Sequence, residues 1–199
     1  MIKYIVTILI ILFIGTSVIS INRITSSSME DTLEIGDAII ALNYWYGIKM
    51  PFTDYQILSG REPQRGDILF FRNPRIPSEI FLKRCIAVGG QTVEIQAKEV
   101  FVDGVEIPLP PQGKHADHSI FPKGTSDRDF MRRITLPDST IFVLGDNRDF
   151  SGDSREYGPI PKKNLTGKAW IIAWSLAPGV QWKNIEQKMR KERFFVPVK

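Results

Sequence analysis

The chain is poor in the residues that most hydrolytic and metal sites require. It contains one cysteine, Cys85, and two histidines, His115 and His118. A lone cysteine excludes an internal disulfide and any multi-cysteine zinc site. Both histidines fall in the polar, proline-flanked stretch around KHADHS, which supplies neither a third ligand nor a buried platform. We expect them to be exposed and the protein to use no metal and no cofactor. A Ser-His-Asp triad is equally ill supported. Neither G-x-S-x-G nor S-x-x-K occurs, which removes the signatures of many hydrolases and of penicillin-binding proteins. A strong excess of one charge is also missing. The net charge of +4 is too small and scattered for a nucleic-acid partner, though it suits a surface near anionic lipid.

One long hydrophobic run is present, from Tyr4 to Asn22, without a charge. At 1.5 Å per residue it just spans a hydrocarbon core of about 30 Å. Val18 and Ser20 make a poor cleavage site, so a retained anchor over 4–22 is favoured over a cleavable signal. Lys3 and the α-amino group lean the short segment 1–3 to the cytoplasmic side. Residues 23–199 then form one extracytoplasmic domain.

That domain reads as mainly β, an antiparallel sheet or barrel-like fold. Segments 33–45, 66–72, 79–88, 91–95, 99–107, 139–145 and 167–176 are rich in β-branched and aromatic residues. Val102-Asp103-Gly104-Val105 is a two-residue hairpin signal. The Pro/Gly-rich stretch from Pro108 to Gly124 leaves the sheet, and about 95–138 reads as a small inserted cap. No long amphipathic helix precedes Gln181–Arg193, which is either a short basic helix or a solvated tail.

Two features suggest chemistry. LGDNRDFSGDSREYG at 144–158 alternates acid and base between two apolar strands, where buried charges must be paired. The other is a serine–lysine combination: SSS at 26–28 runs directly into a strand, and FLKRC lies at 81–85. In an extended strand Phe81, Lys83 and Cys85 share one side, and Arg84 points to the other. A lysine acts as a base only when neutral, and its ordinary pKa is about 10.4. Lowering it to 7–8 costs about 3–4 kcal/mol, which desolvation among apolar side chains can supply. An arginine could not serve.

Together these segments resemble bacterial type I signal peptidase, a membrane-anchored Ser-Lys serine protease. In order they are the apolar N-terminus, S-x-S-M at 26–29 with Thr32-Leu33, R-G-D-I at 65–68, Lys83-Arg84 followed by GG and T-V-E, and G-D-N-R-D-x-S-x-D-S-R-x-x-G at 145–158. The last is long and specific. The resemblance implies Ser28 as nucleophile, Lys83 as general base, Ser26 as an oxyanion donor and Ser151 as the residue that orients the lysine. It further implies Met29 beside the pocket for the residue before the cut. Arg84 with Asp146, and Asp153 with Arg155, would be structural ion pairs. The implied partners are secretory preproteins with small-x-small cleavage sites and the lipid bilayer. The implied location is the cytoplasmic membrane, with a single pass.

Some positions depart from the family pattern. Thr25 and Asp31 stand where the family commonly has proline, and Ala87-Val88-Gly89-Gly90-Gln91 replaces G-x-P-G-D. Alternative readings are a specialised processing peptidase of pilin or plasmid-transfer type, a self-cleaving Ser-Lys repressor, and a non-catalytic membrane-tethered binding module. The apolar run and the lack of a DNA-binding segment disfavour the repressor.

Overall fold

The computed structural model describes Tyr4 and residues 18–49, 56–181 and 184–199. Its strands are β1 (Ile19–Arg23), β2 (Asp37–Leu42), β3 (Gly47–Lys49), β4 (Gln56–Ser59), β5 (Ile68–Arg72), β6 (Ile80–Val88) and β7 (Thr92–Gln96). They continue as β8 (Glu99–Val102), β9 (Val105–Ile107), β10 (Met131–Thr135), β11 (Thr140–Leu144), β12 (Ile160–Pro161), β13 (Leu165–Ser175) and β14 (Val196–Pro197). The main sheet runs β1-β2-β13-β5-β6-β11-β12, with β14 on β13, and every pairing is antiparallel. Bulges in the long β13, around Ala169/Ile171 and Ile172/Trp174, add local bend to that sheet.

Alternation along the strands separates two apolar blocks. Ile39, Ala41, Ile68, Phe70, Leu82 and Ile172 form one. Leu69, Phe71, Cys85, Ile141, Val143 and Ile160 form the other. A second sheet, β10-β7-β8-β9, carries its own core of Val93, Ile95, Val100 and Val102 against Ile86 and Phe142. This sheet covers much of the segment read from the sequence as a cap, 95–138, together with β7 before it. Its hairpin turns at Asp103 and Gly104, both with positive φ, as a type I′ turn requires.

The excursion differs from expectation at its end. Met131–Thr135 returns as a strand on β7, and a bulge between Met131 and Ile134 breaks the alternation that would have revealed it. The apolar run expected to be an anchor also ends sooner than Asn22. Ile19–Asn22 belong to β1, paired with β2, and alternate between exposed and half-buried. That is period two, not a helical face. Residues 5–17 lie outside the described residues. Among the described residues no helix is long and apolar enough to cross a membrane. Of 181–193, only single helical turns at Ile185–Lys188 and Lys191–Arg193 are described.

Candidate active site

The chain leaves β1 at Ile24, whose N–H donates to the Asp37 carbonyl at 2.8 Å, and then turns sharply through Ser27–Leu33. Two backbone bonds tighten that turn, Glu30 N–H to Ser27 O at 3.0 Å and Leu33 N–H to Met29 O at 2.7 Å. Met29 and Leu33 are drawn inward by the apolar block, so Ser28 is held against the sheet rather than in solvent. On the sheet opposite, β6 presents Lys83 on the same face as Leu69, Phe71, Phe81 and Cys85.

Lys83 Nζ and Ser28 Oγ meet in a hydrogen bond of 2.6 Å. The lysine is 4% exposed, with its Nζ 5.5 Å from the centre of the Phe81 ring. Burial, the largest influence, lowers its pKa to about 8; Arg155 pushes the same way, while Asp153 and Asp146 oppose. When Lys83 is neutral, the Ser28 hydroxyl becomes the donor and Nζ the acceptor. Ser26 Oγ lies 3.3 Å from Ser28 Oγ, on the same side of the segment. Among the described residues the Ser28 N–H makes no hydrogen bond.

A cleft of about 790 Å³ opens onto this pair, with Ser26–Met29 on one wall and Ile80–Lys83 on the other. Among the described residues the strand edge facing it has no partner strand: β5 pairs Ile80–Arg84 on one side, while pairing with β11 on the other begins only at Arg84. An extended peptide can add to such an edge through main-chain hydrogen bonds.

The charged loop packs behind the pair. Arg84 donates to Asp146 through Nε at 2.8 Å and Nη2 at 2.7 Å, and both side chains are buried. Asp146 Oδ2 also accepts from Thr32 Oγ1 at 2.6 Å, which ties the Ser28 turn to the loop. Asp153 takes Arg155 Nε and Nη2 at 2.9 and 2.8 Å, accepts the Gly145 N–H, and caps the helical turn Ser154–Tyr157. Both expected ion pairs are therefore formed. Met29 is buried, lines the cleft, and accepts the Asp146 N–H at its Sδ at 3.4 Å.

Ser151 stands differently from its expected orienting contact. Its Oγ is buried, has no hydrogen-bond partner among the described residues, and lies against Gly145. A Cβ on Gly145 would stand 2.2 Å from that oxygen and 2.5 Å from the Ser28 carbonyl oxygen. Gly145→Ala must therefore displace the Ser28 turn or the Ser151 loop. A fall in peptide cleavage of about tenfold or more is the expected result in a turnover assay.

The histidines depart from expectation in one respect. His118 is exposed, but His115 is half-buried, 3.5 Å from Asp149, and burial lowers its pKa. Among the described residues no His/Cys/Asp/Glu group could hold a metal ion. Asn147, Thr32 and Lys114 also support the Ser28 turn, a role the sequence does not assign to them. Asn147 lay inside the charged loop and Thr32 beside S-x-S-M; Lys114, in the excursion, carried no signal. The departures have local accounts as well. Asp31 has a φ of 72°, a value closed to proline. Gln91 closes the turn after β6 by accepting the Val88 N–H at 3.0 Å.

A family model described as "Signal peptidase, peptidase S26" matches residues 1–174. Signal peptidase I of Pseudomonas aeruginosa is 30% identical over 88% of this chain and 72% of its own length. That of Aquifex aeolicus is 29% identical over 84% of this chain and 80% of its own. A solved signal peptidase I from Enterococcus faecalis is 29% identical, covering 54% of this chain and 97% of that one, with a TM-score of 0.42. With nearly the whole chain matched, this protein belongs to the signal peptidase family, peptidase S26, and is a serine endopeptidase.

Proposed function

We propose that the protein removes N-terminal signal peptides from secretory preproteins, with Ser28 as nucleophile and Lys83 as general base. The observation that carries this is the 2.6 Å contact between Ser28 Oγ and a buried Lys83 Nζ. Neutral Lys83 takes the Ser28 proton as Oγ attacks the scissile carbonyl carbon. Ser26 Oγ and the Ser28 N–H stabilise the oxyanion that forms. As the C–N bond breaks, Lys83 gives the proton to the leaving amine, and an ester to Ser28 remains. The same lysine then deprotonates a water that hydrolyses the ester, which returns Ser28. Met29 borders the pocket for the small residue before the cut, and the small-x-small preference follows from the resemblance.

The same reading places the enzyme on the cytoplasmic membrane, with its β domain on the extracytoplasmic side. Register supports a lipid-facing surface. Exposed Ile19 and Ile21 on β1 share the outer face with Ile40 and Ile171, and exposed Trp174 lies one row along. Tethering would confine enzyme and membrane-bound substrate to one surface and raise their effective concentration. Trp45, Tyr46 and Phe52 are sequence candidates for the same interface or for the core; Arg61 covers the Trp45 ring at 4.3 Å and the Tyr46 hydroxyl donates to Asp67. Phe52 lies outside the described residues.

Ser28→Ala and Lys83→Ala are each expected to abolish cleavage of a preprotein in detergent micelles and to leave the circular dichroism spectrum unchanged. Full activity in Lys83→Ala would remove the lysine from the mechanism. A wild-type protein inert on every preprotein tried would favour the binding-module reading.

A further inference from the structure

The excursion between the two halves of the small sheet returns to the Ser28 turn at one residue. Lys114 Nζ lies 2.9 Å from Glu30 Oε2 and 2.8 Å from Asp31 Oδ2. These carboxylates sit two and three residues beyond Ser28, at the tip of its turn. Asp31 is held there in the left-handed region, which a non-glycine residue adopts at a cost unless its surroundings impose it. The ion pair with Lys114 is such a constraint.

Lys114 is itself fixed in place. Its N–H donates to the Asp146 carbonyl at 2.9 Å, and its carbonyl accepts from the Arg148 N–H at 3.0 Å, a parallel bridge opposite Asn147. Asn147 in turn grips the Ser28 turn from the other side. Its N–H donates to Ser28 O at 3.1 Å, and its Nδ2 to Ser27 O at 3.2 Å. Glu30 Oε2 receives both Asn147 Nδ2, at 3.4 Å, and Lys114 Nζ.

Just beyond, the excursion is locked to the core by buried charge. Lys98 Nζ donates to Asp117 O at 2.6 Å and to Asp149 at 3.0 Å, and the Asp117 N–H donates to Asp149 at 2.9 Å. Lys114 thus extends from a backbone fixed on both sides, while its side chain and the two carboxylates stay partly exposed.

We propose that Lys114 is a positioning residue for the cleavage reaction: its bridge to Glu30 and Asp31 holds the Ser28 turn in register with Lys83. The inference rests on Ser28 being the nucleophile. Without the bridge, two adjacent carboxylates repel each other in a turn that already holds a strained residue. Ser28 Oγ then loses its fixed approach to Nζ, and a displacement near 1 Å costs on the order of a hundredfold in rate. The open edge of β6 on the other wall of the cleft is untouched, so the larger part of the loss falls on kcat.

The test compares wild type, Lys114→Met, Lys114→Arg and Ser28→Ala on one signal-peptide substrate in micelles, with unfolding midpoints measured alongside. Lys114→Met is expected to lower kcat about 10- to 100-fold, with a much smaller change in KM. Lys114→Arg, which keeps the charge and the reach, is expected to stay within about threefold of wild type. If the loss lies wholly in KM, if kcat is unchanged, or if Lys114→Arg is as slow as Lys114→Met, the positioning role is wrong. Those results are read only with wild type active and Ser28→Ala dead. An active Ser28→Ala would instead overturn the assignment of the nucleophile.

Discussion

Lys83→Met is expected to be inactive yet more stable than the wild-type protein at pH 7, by about 2 kcal/mol. The folded protein holds this lysine at a pKa of about 8 against an ordinary 10.5, chiefly because burial penalises the ammonium. The unfolded chain therefore binds more protons than the folded one between those two values. By linkage, wild-type stability rises with pH through that window, and below pH 8 the full cost is present. Methionine fills a similar volume without the charge; it forfeits the Ser28 hydrogen bond, worth about 1 kcal/mol. Urea unfolding at pH 7 and pH 10 reads this directly. The variant leads at pH 7, and the wild type gains on it as pH rises. A variant less stable than wild type at pH 7 would mean that the lysine is not held against its charge. Catalysis follows the same proton. Wild-type kcat/KM should climb about tenfold per pH unit below 8 and level off above it, as the neutral base becomes the major form.

The central pair was legible because its signals are local. S-x-S-M precedes a strand, and simple alternation along β6 separates Lys83 from Arg84, which the register confirms by placing Lys83 opposite Leu69 and Arg84 opposite Ile68. The charged loop was legible as paired charge for a similar reason. Arg155 finds Asp153 two residues away, and Arg84 follows the lysine directly. Contacts that join distant segments left no such trace. Lys114 reaches Glu30 and Asp31 across more than eighty residues, and nothing in KHADHS announces it. The strand Ile19–Arg23 was hidden by its composition, since Ile-Ser-Ile-Asn continues the uncharged run before it. Only pairing with β2 separates the two. The Ser151 hydroxyl shows the limit of carrying a role over from a resemblance. Its position beside Gly145 and the Ser28 carbonyl puts it next to the pair, while its hydrogen bond remains unmade.

Asp146→Ala is expected to cost about 3–5 kcal/mol of stability, the largest loss from any single change in the charged loop. Asp146 is fully buried, and its two oxygens receive three donors: Arg84 Nε, Arg84 Nη2 and Thr32 Oγ1. Removing the carboxylate leaves the Arg84 guanidinium buried with, among the described residues, the Gly66 carbonyl and an oxygen of Lys199 as its remaining acceptors. The two charge-assisted bonds to one buried carboxylate are lost together, so the desolvation cost of the arginine is poorly offset. The loss should therefore belong to the stranded charge rather than to the bond itself. Arg84→Met combined with Asp146→Leu separates the two, because apolar residues of similar volume remove both charges at once. The double variant should recover most of the stability in urea unfolding. It should not recover full activity, because Thr32 loses its acceptor and the turn that carries Ser28 loses one of its ties to the loop behind it. A double variant as unstable as Asp146→Ala would mean that the carboxylate stabilises the fold through its contact with Thr32 rather than by neutralising Arg84. In that case Thr32→Val alone would reproduce the loss.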